Sequence, residues 1–328
     1  MRVVVIGATG HIGTYLIPRL VEAGHEVVAL SRGRRAPYQP HAAWQRVEQL
    51  VVDREAEEQD GRFATRMHGL RPDVVVDLIC FQVESARALV EALRGHVQHV
   101  LHCGTIWVHG PTVEAPLTEE QPRRPFGDYG IAKAAIEAYL LHEARRTGFP
   151  VTVLHPGHIV GPGWAPLNPA GHFNPAVFTR LAAGEEFVLP NFGLETVHHV
   201  HADDVAQAIM KAMSSRSVAV GESFHVVSPA ALTLRGYAEA MAAWFGKPAR
   251  LRFLAWEDWR ATVSEDEARA TYDHIAHSPN CSIAKARRLL DYQPRYRSLE
   301  AVTEAVRWLI ANGQVEASWR PLGDPHQR

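Results

Sequence analysis

The stretch "RVVVIGATGHIG" constrains the fold more than any other in this chain. A β-branched run ends in Gly7, and Gly10 and Gly13 follow at three-residue spacing. Residues 11–23 then carry Ile12, Leu16 and Leu20 on one helical face. A strand that turns through glycines into a helix brings backbone N–H groups and the positive end of a helix dipole to one point. That arrangement suits a pyrophosphate, because glycine allows close backbone approach. The loop is therefore read as a dinucleotide cradle, with Thr9, His11 and Ile12 filling the positions between and after the glycines.

The rest of the N-terminal half repeats this alternation. Apolar runs at 25–30, 46–53, 73–79, 96–102 and 151–155 read as strands. Helical stretches cover 84–94 and 128–147. Near-continuous apolar strands separated by helices imply a parallel sheet covered on both faces. The fold class is α/β, a Rossmann-type doubly wound parallel sheet with a smaller C-terminal substrate-binding lobe. The sheet domain is expected over 1–156, with 197–227 returning to it. The lobe is expected over 157–196 and 228–328, with helices at 233–245 and 298–312.

Charge and composition exclude some functions. The formal net charge of −2 supplies no general field for nucleic acid or an anionic membrane. No apolar run reaches the roughly 20 residues of a membrane span. Cys80, Cys103 and Cys281 share no disulfide or metal spacing, which fits a reduced, cytoplasmic protein. The expected partner is a small-molecule substrate, with no nucleic acid and no membrane.

The end of the second strand bears on the cofactor. "ALSRGRR" offers Ser31 and Arg32 and no carboxylate. An acidic residue there would bind the ribose 2′-hydroxyl of NAD, whereas arginine suits the 2′-phosphate of NADP. NADP is favoured and NAD stays open.

"DYGIAKAAIE" places Tyr129 and Lys133 four residues apart at the start of a helix, on one face. Half-ionising a tyrosine at pH 7 takes about 3 pKa units, roughly 4 kcal/mol. A nearby ammonium supplies part of that, so the pair suits acid–base work on an alcohol or carbonyl. In "CGTIWVHG" a hydroxyl residue, Thr105, stands where a buried strand runs out.

"GATGHIG", "CGTIWVHG" and "YGIAK" together resemble the extended short-chain dehydrogenase/reductase family, the NAD(P)-dependent epimerase/dehydratase group. "VLHPGHIVGPG", "HVHADDVAQAI" and "SIAKARRLLDYQP" are similar to further segments of that family, so the resemblance covers nearly the whole chain. It implies Tyr129 as catalytic acid/base, Lys133 as the group that lowers its pKa and holds the nicotinamide ribose, and Thr105 as hydrogen-bond donor to the reacting oxygen. It implies cofactor contacts from Asp53 and Arg54 after the third strand, Leu78 and Ile79 after the fourth, Cys103, and Pro156 and His158. The implied reaction is hydride transfer at a hydroxyl or carbonyl carbon of a sugar, nucleotide sugar or other polyhydroxylated substrate. The resemblance also implies a homodimer through the helices at 84–94 and 128–147.

This chain departs from the family pattern in informative places. Ile106 and Trp107 stand where 4,6-dehydratases carry an acid/base pair for water elimination, which argues against that chemistry. Val197 replaces an arginine that grips a substrate diphosphate, and the second such arginine is not recognisable in "ATYDHIAHSPN". Arg252, Arg260 or Arg269 could substitute from another direction. Trp107, His109, His158 and Asn174 are the candidates for substrate contact beside Thr105. Histidines are abundant, yet in "HHVH" only His199 and His201 share a strand face. No metal is expected, and His201 is read as structural. Two other readings remain: an NADPH-dependent carbonyl reductase of a non-nucleotide substrate, and a non-catalytic RNA-binding homologue, since some plastid RNA-binding proteins keep this fold.

Overall fold

The computed structural model describes residues 1–317. Its contacts divide the chain into two compact units. The first comprises Met1–Ile159, His198–Ala230 and Pro279–Ser298. The second comprises Val160–Val197, Ala231–Ser278 and the chain from Leu299 onward.

The first unit is built on a seven-stranded parallel sheet. Its strands are β1 (Arg2–Ile6), β2 (Glu26–Ser31), β3 (Glu48–Val51), β4 (Val74–Asp77), β5 (His99–Cys103), β6 (Val151–Pro156) and the strand Ser223–Val226. The order across the sheet is Ser223–Val226, β6, β5, β4, β1, β2, β3. β1 lies between β2 and β4, in parallel register with both. The direction of winding reverses there, and ligands of such sheets bind beyond the carboxyl ends of the strands at that switch point.

The two-residue period of β1 feeds two cores. Val3 and Val5 pack with Leu16 and Leu20 of α1 (His11–Glu22) and with Ile209 of the helix Ala202–Ser214. Val4 and Ile6 pack on the opposite face with Leu89 and Val90 of α4 (Val83–Leu93) and Ile136 and Leu140 of α5 (Gly127–Thr147). Two short helices, α2 (Arg54–Gln59) and α3 (Arg62–Leu70), precede β4.

Residues 279–298 belong to the first unit, whereas the sequence reading assigns them to the lobe. The reason is a long-range bridge. Leu117 N–H donates to the Asn280 carbonyl and Ser282 N–H to the Leu117 carbonyl, each at 2.7 Å. Cys281, Ile283, Ala286, Leu290 and Tyr292 then enter the core of the first unit. The Asp204 carboxylate accepts the N–H groups of Arg295 and Tyr296.

The second unit pairs the strands Glu186–Pro190 and Arg250–Leu254 in parallel. The helices Ala176–Ala183, Leu234–Trp244 and Glu265–His277 belong to it. Trp259 is fully buried and donates its indole N–H to the Val188 carbonyl at 3.1 Å. Among the described residues, no helix is long and apolar enough to cross a membrane.

Candidate functional site

The glycine loop has the geometry its sequence requires. Gly7 sits at φ +86°, and a Cβ there would lie 2.6 Å from Ile79 Cγ2. A Cβ on Gly13 would lie 1.9 Å from the Ala8 carbonyl oxygen. Gly10 caps α1 and offers no side chain to its first turn. The first N–H groups of α1 therefore have no side-chain cap, which is the state an anion-binding helix terminus needs.

A groove of about 260 Å³ runs from this loop to the ends of β4, β5 and β6. Gly7, Gly10, His11 and Ile12 line one side. Leu78, Ile79, Cys103, Thr105, Tyr129, Lys133 and Pro156 line the rest. These residues come from five separate stretches of chain, and the sheet brings them together at its carboxyl edge. Phe81, Gly104, Gly157 and Ile159 also line the groove, and none of them is singled out by the sequence reading.

Tyr129 lies in the first turn of α5, with 43% of its surface exposed. The Thr105 Oγ1 accepts the Trp107 N–H at 3.3 Å. Loss of solvent, and secondly the Cys103 thiol, push Tyr129 up to about 12, while the neighbouring Thr105 hydroxyl pulls it down.

Lys133 does not act as the sequence leads one to expect. Its buried ammonium donates to the carbonyls of Cys103 at 2.6 Å and Cys80 at 3.0 Å. It also lies 5.4 Å from the centre of the Phe81 ring. Loss of solvent and Cys103 raise the tyrosine, and Lys133 is not among the groups that move it. Its position in the groove still allows a polar ligand to replace one carbonyl.

Trp107 is half-buried and presents its ring edge-on to Tyr129 at 5.8 Å and to His158 at 6.4 Å. Ser31 and Arg32 end β2, and Arg32 is exposed. Asp53 is exposed and accepts the Ala56 N–H as the cap of α2. Nearby, Tyr38 packs on the His11 ring at 4.6 Å and Arg35 lies over Tyr38 at 5.7 Å. Tyr38 lies in an irregular loop, where no spacing marks it.

Three candidates fall elsewhere. Arg54 is buried and holds Asp77 at 2.8 and 2.9 Å, Glu58 at 2.6 Å and the Ser85 carbonyl at 3.1 Å. Its guanidinium is committed to structure and offers nothing to a cofactor. His109 is only 2% exposed and bonds to His225, so it is a core residue rather than a pocket wall. Asn174 lies in the second unit, where its amide donates to Glu267 at 2.6 Å and its oxygen accepts the Ala176 N–H. There it lines a cavity of about 380 Å³ with His172, Arg180, Trp259 and Glu267. His201 is structural: Nδ1 accepts the Asp203 N–H and caps the helix Ala202–Ser214.

Comparison with known proteins gives three kinds of likeness. Residues 3–226 match the model of the NAD dependent epimerase/dehydratase family. The 2′-dehydrokanamycin reductase of Streptomyces kanamyceticus is 27% identical over 319 residues, 96% of this chain and 86% of that protein. The chloroplast stem-loop binding protein of 41 kDa b from Arabidopsis thaliana is 24% identical, over 93% of this chain and 78% of that protein. The UDP-glucose 4-epimerase of Thermotoga maritima, solved with UDP-glucose, has the same fold. Its TM-score is 0.72 at 21% identity, with 95% of this chain and 99% of that one covered.

Proposed function

The chain belongs to the NAD dependent epimerase/dehydratase family, and we propose that it reduces a carbonyl carbon of a sugar or similar polyhydroxylated substrate with NADPH. The observation that carries this reading is the meeting of Thr105, Tyr129 and Lys133 with the glycine loop in one groove. When bound, the dinucleotide supplies the hydride.

The residues of the groove fit that group. Gly7 takes the positive φ the turn requires against Ile79, and the uncapped start of α1 suits the pyrophosphate. Lys133 would hold the nicotinamide ribose by exchanging a carbonyl for a ribose hydroxyl. Arg32 would pair with the 2′-phosphate, which makes NADP the favoured cofactor.

Tyr129 then handles the proton. With its pKa near 12 it is protonated at pH 7. A carbonyl reduction consumes that form, because the developing alkoxide takes the phenolic proton. Thr105 donates to whichever oxygen becomes anionic. Trp107 and His158 wall the approach to Tyr129 as apolar and neutral polar surfaces.

An epimerase needs the same tyrosine to act as base in its first half-reaction. From a pKa of about 12, half-ionisation at pH 7 demands about 7 kcal/mol from the bound complex. Epimerisation is therefore the second reading. The RNA-binding reading is disfavoured by the retained Thr105, Tyr129 and Lys133 and the net charge of −2.

The test is a panel of free, glycoside-linked and nucleotide-linked ketosugars assayed for NADPH and NADH oxidation. Turnover with release of NADP supports the reductase. Tightly retained dinucleotide with product isomerised and no net oxidation would favour the epimerase. RNA binding without turnover would overturn both.

A further inference from the structure

Three histidines far apart in the chain meet inside the first unit. His155 of β6 and His225 of the neighbouring strand are parallel partners in register. Their side chains therefore leave the sheet on the same face. His109 ends the 3-10 turn Ile106–His109, and its Nε2 lies 2.8 Å from His225 Nε2. One nitrogen from each ring lies within 4.8 Å of the other two. The three residues are buried, at 2% exposure or less. His109 Nδ1 and His155 Nδ1 have no hydrogen-bond partner. A buried polar atom left unpaired costs about 1–3 kcal/mol, so the protein alone leaves this cluster unfavourable.

The surroundings favour a cation. Glu137 Oε2 is 3.2 Å from His155 Nε2. Glu119 accepts the His225 N–H at 2.7 Å, and its second oxygen is 4.0 Å from His225 Nδ1. Arg123 pairs with Glu137 at 2.7 Å, and Lys285 pairs with Glu222 while facing Glu119. Three carboxylates against two cations leave one net negative charge. His225 Nδ1 lies 3.2 Å from the Ser282 carbonyl, which can only accept. That nitrogen is protonated, and Nε2 turns its lone pair into the cluster, as in oriented metal ligands.

We propose that His109, His155 and His225 form a buried structural site for a first-row divalent cation such as Zn²⁺, with the Glu137 carboxylate beside His155 as a counter-charge. Bonds of about 2.0–2.1 Å would set tetrahedral nitrogens about 3.3 Å apart, so the His109–His225 pair opens by about half an ångström. The ion would tie β6 and the strand Ser223–Val226 to the turn that Thr105 caps. It would thereby fix the threonine beside Tyr129 without touching substrate. A second trio, Asp77, Cys80 and His102, also converges. Both Asp77 oxygens are on Arg54, and burial pushes the Cys80 thiol up to about 12, so that trio is no match.

The test is a Co²⁺ titration of the full chain after chelator treatment at neutral pH. One equivalent should give the strong visible bands of tetrahedral cobalt, be displaced by Zn²⁺, and raise the melting temperature. His109→Gln and His225→Gln should each weaken Co²⁺ binding more than about 100-fold. His142→Gln, at an exposed histidine, should leave it unchanged. Wild-type protein that gives no tetrahedral spectrum overturns the proposal, whatever the variants do. Binding that survives in folded His109→Gln overturns it as well.

Discussion

Replacing Arg54 by methionine should cost stability and leave cofactor binding intact. The Arg54 side chain is 7% exposed and that of its partner Asp77 1%. One guanidinium nitrogen holds both Asp77 oxygens, and the other two serve Glu58 and the Ser85 carbonyl. Methionine keeps much of the volume over Phe63, 5.2 Å from the guanidinium carbon, and removes every one of those donors. An uncompensated buried carboxylate is the dominant loss. Breaking such a pair from one side costs about 3–5 kcal/mol. Urea unfolding, extrapolated linearly, measures the loss, and dinucleotide affinity in the folded protein is the second readout. Arg54→Met with Asp77→Asn should recover part of the loss, because the most buried carboxylate is then no longer left charged and unpaired. A loss below about 1 kcal/mol refutes the assignment. So does a variant of normal stability that binds dinucleotide poorly, since Arg54 would then contact the cofactor.

Further expectations follow from the same geometry. Gly13→Ala should abolish dinucleotide binding by calorimetry, because its Cβ would lie 1.9 Å from the Ala8 oxygen and the loop must move. Arg32→Ala should weaken NADP about 10-fold or more and leave NAD unchanged, as expected for one charge-assisted hydrogen bond. Acid should destabilise the fold through buried neutral histidines. Burial holds His99 and His198 to about 4, so the unfolded chain binds protons first. Their stabilisation is complete above about pH 6.5 and is lost as pH falls towards 4, by up to about 1.4 kcal/mol per pH unit for each group. Urea midpoints across that range test it, and His99→Gln should flatten the slope.

What the sequence reveals here is what neighbours in sequence can encode. The glycine loop, the Tyr129–Lys133 spacing and the alternation of β1 are local, and each has a local physical reason. The partners of Arg54 and His109 are not local. They depend on which strands become neighbours and in what register, as in the pairing of His155 with His225. The histidine trio lies outside "HHVH" and is assembled only by that pairing. The return of residues 279–298 to the first unit likewise rests on the Leu117–Cys281 bridge, which no periodicity announces. Lys133 is the subtlest case. Its position is legible from i, i+4 spacing, but its partners are carbonyls at the ends of two other segments.

The central claim is that Tyr129, beside Thr105 in the groove, moves the proton. It is tested by single-turnover reduction of an active ketosugar by NADPH in wild type and Tyr129→Phe. The account predicts a rate lower by about 10²–10⁴-fold with NADPH affinity unchanged. A Tyr129→Phe enzyme within a few-fold of wild type would contradict it.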